Sequence, residues 1–133
     1  MMNVLLVAGD ARGLAQFEAA LKAKQNVVVK QVASAGEATE ALESGWAAVV
    51  VFAADLADGP ALPAVKGVMK RFPLINCAMV SPLPAAEFHE ATEGLGLFMQ
   101  LPVDPGAADA ARMVALLDKI NTLLGSETKG VLR

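Results

Sequence analysis

The stretch from Gly45 to Gly59 constrains the fold of this chain more than any other. It runs Gly45, Trp46, Ala47, Ala48, Val49, Val50, Val51, Phe52, Ala53, Ala54, Asp55, Leu56, Ala57, Asp58, Gly59. A continuous apolar run, β-branched in its middle and closed by an Asp-Gly turn signal, is the pattern of a strand buried on both faces. Such strands occupy the centre of parallel sheets. In an open α/β sheet the functional crevice lies beyond the carboxyl ends of the central strands, so the Phe52 to Asp55 end should face it. That end is unusually apolar for a site of chemistry.

The flanking sequence alternates strand and helix signals. Val4 to Ala8 is an apolar run ending in Gly9-Asp10, and Leu14, Phe17 and Leu21 follow at helical spacing, with Asp10 placed as the cap. Val27 to Val32 gives a second strand, and Ser34 and Glu37 have the spacing of a capping box before a helix to about Glu43. After the third strand, Asp58-Gly59-Pro60 marks the start of a helix striped by Leu62, Val65, Val68, Met69 and Phe72 and ended by Pro73. Leu74 to Ser81 is the fourth strand, Ala85 to Glu93 a short helix, and Leu97 to Leu101 the fifth strand. A last helix spans Ala107 to Leu124. Residues 1–124 then form one domain, and Gly125 to Arg133 reads as a polar tail or the start of a linker. Five strands alternating with five helices predict a doubly wound three-layer α/β/α sandwich. Its five-stranded parallel sheet should have the order 2-1-3-4-5, as in flavodoxin-like folds.

Composition narrows the function. The 133 residues suffice for one core, and 55% hydrophobic with 19% charged residues excludes a disordered chain. A net charge of -3 and no basic run give no electrostatic footprint for nucleic acid. No run approaches the roughly 20 apolar residues of a membrane span, and the N-terminus lacks a basic leader, so a cytoplasmic protein is expected. Cys77 and His89 are the single residues of their kinds, which excludes Ser-His-Asp and Cys-His catalytic arrangements. Cys77 reads as a small core residue and His89 as a solvated one. Trp46 reads as packing at the start of its strand. Gly9-Asp10-Ala11-Arg12-Gly13 lacks the Gly-x-Gly-x-x-Gly spacing of a dinucleotide cradle.

From Val4 to Leu124 the chain resembles the receiver domain of two-component response regulators, the CheY-like family. The resemblance rests on Gly45-Trp46 before the third strand, Asp58-Gly59 after it, Ser81 closing the fourth, Gly94 before the fifth, Phe98 within it and Pro102 after it. No one of these is specific; their order and spacing together are. Receivers hold Mg²⁺ with two acidic residues after the first strand, accept phosphate on an Asp at the end of the third, and pair the phosphoryl group with a Lys before the Pro. Those positions fall here on Ala8 and Gly9, on Phe52, and on Leu101.

The resemblance therefore implies a pseudo-receiver, not an enzyme, whose degenerate phosphorylation pocket is Ala8, Gly9, Asp10, Phe52, Ser81, Leu101 and Pro102. Mg²⁺ needs carboxylates, and phosphoryl transfer needs metal or cationic stabilisation, so no metal or other cofactor is expected. Asp10, where receivers often carry a third acid, reads as a helix cap. Ser81 and Phe98 are the family's switch pair, read here either as a retained interaction face or as a strand-end hydroxyl and a half-buried ring. The resemblance also implies a cis Leu101-Pro102 bond and contact with another signalling protein, or homodimerisation, through the helix 4, strand 5, helix 5 face. Partners among nucleic acids or membranes are not expected. Two alternatives remain: a small-molecule or nucleotide-binding flavodoxin-like domain using the same crevice, and a phosphorylatable receiver whose acceptor is displaced to Asp55.

Overall fold

The computed structural model describes residues 2–132, the side chains of residues 11 and 123–132 excepted. Strand β1 (Met2–Val7) leads through a 3₁₀ turn (Ala11–Leu14) to α1 (Ala15–Lys22), then β2 (Val27–Val32), α2 (Ala35–Glu43) and β3 (Val49–Phe52). Two short strands, β4 (Asp55–Leu56) and β5 (Gly59–Pro60), precede α3 (Ala61–Arg71). Then come β6 (Asn76–Val80), α4 (Ala85–Ala91), β7 (Met99–Leu101) and α5 (Ala107–Leu132).

The main sheet has five strands in the order β2-β1-β3-β6-β7, all pairs parallel. With β6 and β7 as fourth and fifth strands of the sheet, this is the expected 2-1-3-4-5 order. Its pleat sorts the side chains into two cores. Leu5, Val7, Val50, Phe52, Cys77 and Met79 pack with α2, α3 and α4, while Val4, Leu6, Val49, Val51, Ala78 and Val80 pack with α1 and α5. All four residues of β3 are fully buried, which is why the sequence there shows no polar alternation.

The local signals explain where the helices begin. Ser34 caps α2 by accepting from the Glu37 amide at 3.1 Å, the first half of a capping box, while the Glu37 carboxylate accepts from the Ser34 hydroxyl at 3.2 Å instead of from its backbone amide. Asp10 caps the 3₁₀ turn by accepting from the Arg12 amide at 2.9 Å.

Three expectations are corrected. Asp58-Gly59-Pro60 leads into α3 at Ala61, with Pro60 as the N-cap residue, but Gly59-Pro60 is not only a helix start: it is a strand paired antiparallel with Asp55-Leu56. An Asp-Gly pair is as good a hairpin signal as a helix-start signal, and tertiary contacts described below select the hairpin. The Leu101-Pro102 bond is trans, like every peptide bond among the described residues; trans is the default for X-Pro by about 0.5–1 kcal/mol. Helix α5 continues past Leu124 to Leu132. A lone glycine such as Gly125 costs a helix only about 1 kcal/mol and need not end it.

Cys77 is fully buried in β6, and desolvation pushes its thiol pKa up to about 12. At pH 8 only about one molecule in ten thousand then carries the reactive thiolate. The folded protein should accordingly show no reaction with Ellman's reagent at pH 8 and one full equivalent in denaturant; prompt reaction of the native protein would contradict this packing.

Candidate functional site

The crevice lies at the carboxyl end of the sheet, as the doubly wound topology requires. It encloses about 330 Å³ and is lined by Gly9, Asp10, Leu14, Ala53, Asp55, Leu56, Val80 and Asp104, among others. Of the residues assigned to the degenerate pocket, only Gly9 and Asp10 reach it. Ala8 and Leu101 lie beneath, buried in the core shared with α1 and α5, and Phe52 is fully buried in the opposite core with Leu56, Ala61, Val65 and Phe88. Ser81 and Pro102 line a neighbouring cleft with Leu83, Gln100 and Arg112.

Phe52 thus belongs to the hydrophobic core and not to the crevice wall. Burying a Phe side chain contributes on the order of 1.5–3 kcal/mol, whereas an unpaired carboxylate at the same depth would cost several.

The most constraining contact is at Gly9. A Cβ placed there would stand 2.7 Å from the Leu56 carbonyl carbon, 2.8 Å from the Ala57 nitrogen and 3.1 Å from the Leu56 Cα. These are backbone atoms, which cannot rotate away. Glycine is needed here for close approach of two chain segments.

The segment that approaches is the β4–β5 hairpin. Its Asp55 carbonyl accepts from the Gly9 amide at 3.0 Å, and its Ala57 amide donates to the Ala33 carbonyl at 2.8 Å. The Asp58 carboxylate accepts from the Ala35 amide, at 3.1 and 3.2 Å to its two oxygens, capping α2 from a distance of 23 residues in sequence. Leu56 is its one buried side chain. This hairpin escaped the sequence analysis. Its signals were present in Asp58-Gly59 and in Gly9, but which backbone Gly9 would meet is a tertiary fact.

Three carboxylates line the crevice, on Asp10, Asp55 and Asp104. Asp10 is committed to its cap: the Arg12 amide and then its guanidinium hold the carboxyl below its ordinary value. Asp55 is exposed, and its backbone is engaged in the hairpin. Asp104 sits at φ 52°, a left-handed position that Asp tolerates better than most residues. Among the described residues no three His, Cys, Asp or Glu side chains are grouped to hold a metal ion.

Ser81 is tied down locally. Ser81 is buried, and its hydroxyl accepts from the Leu83 amide at 3.2 Å. The Gln100 side chain donates to the Ser81 and Leu83 carbonyls at 3.2 and 2.7 Å, fixing the same loop. Phe98 is half-buried against the core shared with α1 and α5. His89 is exposed on α4 and Trp46 is half-buried against the α2, α3 side of the sheet, both as expected.

Replacing Phe52 by Asp should lower stability by about 3–5 kcal/mol, the cost of deleting a buried aromatic, with the carboxylate adding to it. Urea denaturation measures this; a loss under 1 kcal/mol would show that Phe52 does not hold the core as described.

Among solved structures, the chain is similar to the signal receiver domain of an HD domain-containing protein from Pseudomonas fluorescens Pf-5. That match has a TM-score of 0.73 at 17% identity and covers 96% of this chain and 92% of that one. A CheY-like response regulator receiver domain protein from Methanospirillum hungatei JF-1 matches with a TM-score of 0.71 at 21% identity, over 98% of both chains. The chemotaxis response regulator CheY4 of Vibrio cholerae matches with a TM-score of 0.72 at 15% identity, over 86% of this chain and 97% of that one. These likenesses establish a CheY-like receiver fold. No protein-family model matches the chain, and no curated protein matches it by sequence. Among the described residues no helix is long and apolar enough to cross a membrane.

Proposed function

We propose that this chain is a pseudo-receiver: a non-catalytic, phosphorylation-independent domain that acts by protein–protein contact in signal transduction, in the cytoplasm. The close passage of the hairpin over Gly9 carries this reading. Position 9 corresponds to one of the family's two metal-binding acids, and no side chain fits there without displacing the Leu56–Ala57 backbone. The remaining positions point the same way, with Ala8, Phe52 and Leu101 buried and apolar.

A receiver fold without its switch presents fixed surfaces. The contact face carried over from the family is α4, β7 and α5, either for another signalling protein or for a second copy of the chain. The loops at that end of the sheet expose apolar side chains, Leu83 at 40% and Val103 at 55%. Recognition there needs no charge switch.

The crevice is large enough to raise the small-molecule alternative. Its acidic rim argues against a nucleotide or other phosphate ligand, because Asp55 and Asp104 would repel the anion and no lysine or arginine is among the described residues that line the crevice. A displaced acceptor at Asp55 would still lack the family's acidic pair and its lysine.

Incubation with acetyl phosphate and Mg²⁺, followed by intact mass, is expected to leave the protein unmodified. A stable phosphoryl adduct, on Asp55 in particular, would overturn the proposal.

A further inference from the structure

We propose that the β4–β5 hairpin is a strap that opens and closes as one unit over the Gly9 end of β1, independently of the main sheet. This stands on the contacts of the hairpin alone, whatever partner the domain meets.

Of the six residues Asp55–Pro60, only Leu56 is buried; Asp55, Ala57, Asp58 and Pro60 are exposed and Gly59 is half-buried. The base of the hairpin is closed by the Ala61 amide on the Ala54 carbonyl at 2.9 Å. Its remaining tethers reach the Gly9 amide, the Ala33 carbonyl and the Ala35 amide. These belong to the end of β1, the β2–α2 connection and the first turn of α2. The strap therefore joins the floor of the crevice to the start of α2 through one apolar anchor and a few exposed hydrogen bonds.

A segment with one buried side chain and solvent-exposed backbone bonds opens at far lower free energy than the sheet beneath it. Here β3, immediately upstream, is fully buried on every residue, so cooperative loss of the strap need not disturb it. Because all three tethers leave from the same six residues, releasing one weakens the others. Opening frees the amide that starts α2 and exposes the apolar seat of Leu56 beside the crevice. It gives a domain without a phosphorylation switch one conformational variable that links these two places.

Native-state amide hydrogen exchange tests this. In the unmodified protein the Gly9, Ala35, Ala57 and Ala61 amides should exchange through a common opening, about a hundredfold or more faster than the amides of β1 and β3. Asp58→Ala removes only the acceptor of the Ala35 amide, yet it should speed exchange at Gly9 and Ala57 about tenfold, leaving β1 and β3 unchanged. Gly9→Ala should push the strap off, abolishing protection at Ala57 while the sheet amides keep theirs. The proposal fails if Gly9 and Ala57 exchange at the rate of the sheet, or if the Asp58→Ala effect stops at Ala35. It also fails if Gly9→Ala leaves the strap protected or unfolds the sheet with it.

Discussion

The backbone of Leu56 and Ala57 passes over Gly9 at a separation that leaves no room for a side chain, and most of what is distinctive here follows from that contact. The approach places the Asp55 carbonyl on the Gly9 amide and brings Leu56 into the core that holds Phe52. It also carries Asp58 to the start of α2. In a receiver, the loop after the third strand borders a charged, hydrated site. In this chain it is folded down as a hairpin onto the end of the first strand.

Electrostatics and packing reinforce each other in this arrangement. A carboxylate at position 52 would sit in a fully apolar core without a partner, and a lysine at position 101 would be buried among the residues packed on α1 and α5. The remaining acids stand at the rim: Asp10 is paired with Arg12 in a cap, while Asp55 and Asp104 face an open crevice.

The sheet order was legible in the sequence because strands and helices alternate along it, the strands as short apolar runs and the longer helices by their apolar stripes, and crossover rules then fix the order. Val49 to Phe52 announced a central strand through four apolar residues in a row, and Ser34 with Glu37 announced the start of α2. The residues at the positions where receivers carry their charged machinery could be read from the sequence because the receiver resemblance fixed which positions to inspect. The hairpin was not. Asp55 to Pro60 is too short for a period, its Asp-Gly signal serves hairpins and helix starts alike, and what decides between them is the Gly9 backbone, far away in sequence. The reach of Asp58 to the Ala35 amide was invisible for the same reason, as was the span of Gln100 to the Ser81 loop. Long-range pairing of a side chain with a backbone group leaves no local pattern.

The central claim is that the crevice floor offers no site to metal and phosphate, and an amide-resolved NMR titration with Mg²⁺ and beryllofluoride addresses it most directly. The account predicts that the Gly9, Asp10, Ala53 and Asp55 resonances stay in place through millimolar additions. Saturable shifts at those four residues, dependent on both reagents together, would contradict it.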